Sequence, residues 1–195
     1  MVKRFLSVLA ICLCQITYGT PHDFQRYRIS YLWETEPDLV AAKKTTKRAF
    51  AKCYEGSLRE LNLPSKEALI KWLDVWDKTF DRFKQSNDLW LSAKDNNMLV
   101  GFLIIDVKKY PQEIYLSQLA IDPEYQGRGI ASTMIRRVFS QFPDCKRFLV
   151  VTRKINKEAI GLYHALGFAP STYMHEGFNR EFFIGFEWIG EKAKG

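Results

Sequence analysis

The sequence is poor in the residues that staple a small fold or hold a metal. It has four cysteines, and two of them, Cys12 and Cys14, lie inside an apolar run near the N-terminus. Cys53 and Cys145 remain, enough for one disulfide or none, with no CxxC and no metal-ligand spacing, and isolated thiols are the expected reading. There is no internal repeat, no low-complexity tract and no Pro/Gly-rich linker, so the chain after its N-terminal run reads as one domain. Outside that run, no stretch is apolar for long enough to cross a membrane as a helix. The formal charge is +7, yet there is no long basic tract. Lysine and arginine are scattered, as in "KKTTKR" (43–48) and "TRKINK" (152–157), which fits a solvated basic face better than a nucleic-acid patch.

What is present suffices for a packed core. Hydrophobic residues make up 47% of the 195 and aromatic residues 14%, which excludes disorder. Residues 1–19 differ from the rest. "MVKR" is basic, "FLSVLAICLCQI" is apolar, and Thr17 and Gly19 stand where small residues precede a cleavage point. That is the layout of a secretory signal peptide, so two segments are expected, 1–19 and a domain over 20–195.

Periodicity orders the elements. "YRISYLW" (27–33) reads as a strand. Residues 36–54 read as a helix with Pro37 in its first turn, and residues 63–83 as a second helix capped by Ser65. "LWLSAK" and "MLVGFLIIDV" form a hairpin about the turn 95–97. "EIYLSQLAI" (113–121) is a strand. Ile130, Ala131, Met134, Ile135, Val138, Phe139 and Phe142 recur at the helical period, and Pro143 ends that helix. "RFLVVT" (147–152) is a buried strand, residues 156–167 a helix from Asn156 to Gly167, and 181–189 a last strand, with a short one near 169–172. The order β-α-α-β-β-β-α-β-α-β predicts an α/β fold with a mixed central sheet, and the passage from 113 to 152 is long enough for a parallel crossover.

One seam carries the chemistry. "IDPEYQGRGIAST" (121–133) sets Gly127 and Gly129 about Arg128, immediately before the amphipathic helix. A helix starting there exposes free N–H groups and the positive end of its dipole, glycines let an anion approach the backbone, and arginine adds a fixed charge. The segment suits a diphosphate. It is not a P-loop, since no GK[ST] follows, and it is not a dinucleotide fingerprint, since Ser132 takes the third glycine's place and "FLVVT" lacks the acid.

The pattern Q-x-x-G-x-A at Gln126, Gly129 and Ala131, followed by "NKEAIGLYHALGF", resembles the GNAT superfamily of acetyl-CoA-dependent N-acetyltransferases. In element order the resemblance spans 27 to about 189. It implies a GNAT-type acyl-CoA N-acyltransferase topology and a ternary complex of acetyl-CoA with an amine acceptor, small molecule or protein. It also implies that Leu119, Ala120 and Ile121 offer backbone groups to the pantetheine arm where two parallel strands splay apart. Gln126, Gly127, Arg128, Gly129, Ile130, Ala131 and Ser132 would hold the diphosphate, Asn156 would contact the cofactor, and Tyr163 would be the general acid at the sulfur. Tyr163 shares an inward helical face with Ala159, Leu162 and Leu166, whereas His164 falls off it and is expected in solvent.

The general base is not assigned. Where relatives often carry a carboxylate, the strands have Ser117 and Val151, while Glu113, His175 and Glu176 read as surface residues. A degenerate domain that binds acyl-CoA without turnover is the alternative. Acceptor choice is expected from loops 51–64 and 172–181, which contain Glu55, Glu60, Glu176 and Glu181. The signal-like segment points to export and acetyl-CoA to a cytosol, the cell's own or a host's.

Overall fold

A computed structural model describes residues 28–74, 80 and 88–189. The expected signal segment 1–19 lies outside the described residues, as do Trp76 and Phe83 of the second expected helix. The elements are β1 (Ile29–Glu34), α1 (Leu39–Tyr54), α2 (Lys66–Leu73), β2 (Leu89–Asp95), β3 (Met98–Asp106), β4 (Glu113–Ile121), α3 (Ile130–Gln141), β5 (Arg147–Arg153), α4 (Lys157–Ala165), β6 (Ala169–Ser171) and β7 (Phe183–Ile189). A single 3-10 turn (Pro123–Tyr125) joins β4 to the glycine seam.

The helix ends follow the expected chemistry, with one shift. Ser65 caps α2 by accepting from the Ala68 N–H at 3.3 Å, and Asn156 caps α4 by accepting from Ala159 at 3.1 Å. In α1 the cap is Asp38, which accepts from Ala41 at 2.9 Å. Pro37 therefore precedes the cap and does not stand in the first turn. A carboxylate one residue later outcompetes proline as the start signal, because it satisfies an otherwise orphaned N–H. The β2–β3 turn places Asn96 and Asn97 at φ 47° and 70°, the doubly left-handed turn that matches strand twist.

The seven strands run β1-β2-β3-β4-β5-β7-β6, and among them only β4 and β5 pair in parallel. Alternation along β3 sorts the core onto two faces. Leu103 and Ile105 join Met134 and Val138 of α3, whereas Phe102 and Ile104 join Ala42 and Ala49 of α1. Burial of Ile130, Met134, Ile135 and Val138 contributes about 1.5–3 kcal/mol each to docking α3.

One irregularity shapes the rest. Ile104 pairs with Gln118 and Ile105 with Leu116, so Ser117 is an extra, bulged residue. Parallel pairing of β4 with β5 stops at Leu116 and Val150. A bulge bends and overtwists its strand. Beyond it β4 stays with β3, while β5 stays with β7 through Arg153. The sheet opens like a V.

Candidate functional site

The V is the floor of a cleft of about 580 Å³. Leu116, Ser117, Gln118 and Leu119 line one side, and Val150, Val151, Thr152 and Arg153 the other. Asn156, Ala159 and Tyr163 of α4 close one face. Phe50 and Tyr54 of α1 stand at the cleft with His175, Glu176, Gly177 and Phe178 of the β6–β7 loop. Backbone groups of Ser117–Ile121 on the β5 side have lost their strand partner, as an extended ligand arm requires. Leu119 faces the cleft, Ala120 is buried against α1, and the Ile121 carbonyl accepts from Gln126 Nε2 at 3.0 Å.

The glycine seam sits at the start of α3 and is held from several sides. The Tyr125 hydroxyl donates to Asp95 Oδ2 at 2.9 Å, and Arg48 of α1 reaches Asp122 at 3.1 Å and Glu124 at 2.7 Å. Gly127 and Gly129 both have φ 75°, a conformation that costs a side-chain-bearing residue about 1–2 kcal/mol. A Cβ on either would meet nothing within 4 Å, so conformation and open space, not packing, explain glycine here. Gly129 is the N-cap of α3 and supplies no side-chain cap, which leaves the first-turn N–H groups of Ile130, Ala131 and Ser132 facing outward. The cradle fits an anion such as a diphosphate. Arg128 bends away from its middle: its guanidinium donates to the Glu124 carbonyl at 2.7 Å and lies 5.0 Å from the Tyr125 ring.

Tyr163 is buried, with its ring against Phe168 and Phe186 at 5.6 and 5.8 Å. Its hydroxyl makes no hydrogen bond among the described residues, although the side chain borders the cleft. A core tyrosine would have found a partner. Burial pushes the phenol well above its ordinary range, so it keeps its proton at neutral pH. His164 is exposed, as expected, and turns its ring edge to Phe186 at 5.2 Å. Asn156 lines the cleft, but its Oδ1 is spent on the α4 cap.

The two sides of the cleft bring in residues that spacing did not single out. His175 stacks on Tyr115 at 4.4 Å and 16°. Its Nδ1 lies 3.0 Å from the Glu176 carbonyl, which can only accept, so Nδ1 is the donor, an arrangement that in the neutral imidazole makes Nε2 the acceptor. This loop reaches Tyr115 because Gly185 lets it cross β7: a Cβ there would meet the Tyr173 carbonyl oxygen at 2.1 Å. A glycine inside "FIGFEWI" was the available signal. Glu113 is not part of the cleft. Burial raises its pKa, but Lys109 at 2.7 Å and Arg147 at 2.5 Å outweigh that and hold it low. Of the loop acids, Glu176 lines the cleft, whereas Glu55 pairs with Lys66.

Among the described residues there is no cluster of His, Cys, Asp and Glu that could hold a metal, and no helix is long and apolar enough to cross a membrane.

Comparison with known proteins agrees with this fold. The structure is similar to the PaiA N-acetyltransferase of Thermoplasma acidophilum in complex with coenzyme A, with a TM-score of 0.65 and 16% identity over 83% of this chain and 98% of that one. It is also similar to the ribosomal-protein-S18-alanine N-acetyltransferase of Escherichia coli, with a TM-score of 0.60 and 21% identity over 83% and 93%. In sequence, 58 residues are 38% identical to thialysine N-epsilon-acetyltransferase of Sus scrofa, which is 29% of this chain and 34% of the relative. The chain thus matches about a third of that curated relative's length. Residues 50–168 match the model of the Acetyltransferase (GNAT) family. That segment takes in the seam, the bulge, both splayed strands and Tyr163, and by it the chain belongs to the Acetyltransferase (GNAT) family of acyltransferases.

Proposed function

We propose that the protein moves the acetyl group of acetyl-CoA to a primary amine by direct attack in a ternary complex. The observation that carries this reading is Tyr163, a buried side chain whose protonated hydroxyl makes no hydrogen bond among the described residues and borders the cleft where β4 and β5 part. Acetyl-CoA, the cosubstrate, supplies an activated acyl group and a thiol leaving group.

The chain's own residues do the rest. First-turn N–H groups of α3, with Gly127 and Gly129, hold the diphosphate. The edge of Leu119–Ile121 that β5 leaves, apart from the Ile121 carbonyl held by Gln126, takes the pantetheine amides in strand fashion, and Asn156 contacts the arm from α4. The V fixes donor and acceptor in one enclosure, which makes the attack effectively intramolecular. Tyr163 gives its proton to the departing sulfur. The acceptor must arrive as a free amine, and His175 Nε2, at the cleft with its lone pair available, takes the amine's proton directly or through water.

Ser117 and Val151, where relatives often place a carboxylate, do line the cleft. That favours a second reading, an acyl-CoA-binding domain without turnover. Thiol release from acetyl-CoA across a panel of diamines, amino acids and peptides separates the two. Amine-dependent release that Tyr163→Phe suppresses supports transfer, and coenzyme A binding without release with any amine overturns it. Localisation follows from the N-terminus: we propose that residues 1–19 direct export, and N-terminal sequencing of the native protein should then begin near Thr20.

A further inference from the structure

Arg153, the last residue of β5, is a cleft-lining side chain whose surroundings the transfer reading leaves unexplained. Its guanidinium carbon lies 4.9 Å from the Trp72 ring centroid and 4.8 Å from that of Phe183, its cross-strand neighbour on β7. The side chain is half-buried, and among the described residues it makes neither an ion pair nor a side-chain hydrogen bond. Its Nε is fully buried without a partner. Burial opposes its charge, and among the described residues no carboxylate compensates. A half-buried guanidinium without a counter-charge costs stability. Aromatic contacts soften that cost and fix the orientation of the fork, but they leave its hydrogen-bonding capacity unused. None of the described carboxylates that line the cleft, Asp88, Asp106 and Glu176, forms an ion pair with it, and Asp106 is taken by Lys108.

Position decides which anion would. Along β5, Phe148 and Val150 enter the core beneath α3 and α4. Arg153 is on the opposite parity and meets Trp72 of α2, itself edge-to-face with Tyr54 of α1 at 6.1 Å. The diphosphate seam starts α3, on the other face of the sheet. An anion at Arg153 is therefore separate from the diphosphate and lies on the side left for the acceptor.

We propose that the acceptor is a primary amine that also carries a carboxylate, and that Arg153, between Trp72 and Phe183, binds that carboxylate. The proposal rests on the transfer reading for the identity of the amine. Arg153 is two residues beyond Val151, where the strands have parted, or about 7 Å along the strand. An aliphatic chain of roughly five methylenes bridges that span, so 6-aminohexanoate is the matched probe and hexylamine is the same amine without the anion.

The test is steady-state acetylation of both amines by the full chain, with Arg153→Gln and Arg153→Lys. A charge-assisted bidentate pair predicts kcat/KM about 10- to 100-fold higher for 6-aminohexanoate than for hexylamine in the wild type. Arg153→Gln should collapse that ratio to near one, and Arg153→Lys should leave it in between, a pattern that general damage to the fold would not produce. A wild-type ratio near one, or a ratio that Arg153→Gln leaves intact, overturns the proposal. If neither amine is acetylated, the broader amine panel decides the transfer reading, and titration of 6-aminohexanoate into the protein with coenzyme A bound still decides the anion site. Binding to the wild type but not to Arg153→Gln upholds it, whereas equal binding, or none to the wild type, overturns it.

Discussion

Tyr163→Phe removes one oxygen from the cleft and little else. The ring keeps its contacts with Phe168 and Phe186, at 5.6 and 5.8 Å. The hydroxyl has no hydrogen bond among the described residues, so its deletion orphans no protein group, and folding stability should move by less than about 1 kcal/mol. Catalysis should not be spared. A positioned general acid contributes about 10²- to 10⁴-fold, which is about 2.7–5.4 kcal/mol of transition-state stabilisation. The thiolate must then leave without its proton, and kcat should fall by that factor while the KM for acetyl-CoA stays within about threefold. Because burial raises this phenol's pKa, the wild-type group stays protonated and the deficit should be constant across neutral pH. The assay is thiol release with a saturating amine, beside thermal melts of both proteins. A kcat within threefold of wild type, with unchanged melting, would refute the assignment of Tyr163 as the acid.

Three further outcomes follow from other groups. His175→Gln should lower kcat by about 10- to 100-fold at neutral pH, with the deficit shrinking at high pH as the amine loses its proton unaided; a pH-independent deficit would mean that His175 only positions Tyr115. Glu113 has a folded pKa below its ordinary value of 4.5, so its ion pairs stabilise the fold above that pH and the benefit is lost as pH falls. Glu113→Gln should therefore cost about 1–3 kcal/mol by urea denaturation at pH 7 and much less at pH 3.5, and a gap that persists in acid would contradict the pairing. Burial, and then Glu158, push the Cys53 thiol up to about 12, so its alkylation in the native protein at pH 7.5 should run about 1,000-fold slower than that of a free thiol. Labelling at the free-thiol rate would show that α1 opens readily there.

The sequence made the donor half of the site readable and the acceptor half nearly silent, for a physical reason. The seam and α4 are local. Glycines before an amphipathic helix, and a tyrosine on its inward face, state their geometry within a dozen residues. His175, Tyr115 and Arg153 come to line one cleft only after the sheet has opened and the β6–β7 loop has crossed it. The opening depends on one bulged residue, Ser117, whose mark in "EIYLSQLAI" is a slip in alternation too short to read with confidence from pattern. The crossing depends on Gly185, where contact with the Tyr173 carbonyl forbids a side chain. Pro37 shows the same limit at small scale, since Asp38 could take over as cap once the chain had turned. In sequence Arg153 is one of many scattered cations, and only the fold shows that no described residue pairs with its charge.

Calorimetric titration of acetyl-CoA into the full chain and its Gly129→Ala variant tests the central claim most directly. Gly129 stands at φ 75° with open space around it, so alanine clashes with nothing but prefers to leave the left-handed conformation. Recovering that conformation on binding costs about 1–2 kcal/mol, which is roughly a tenfold loss of affinity. The account predicts saturable binding to the wild type and about tenfold weaker binding to a folded Gly129→Ala. A folded wild type that binds no acetyl-CoA, or a variant that binds as well as the wild type, would contradict it.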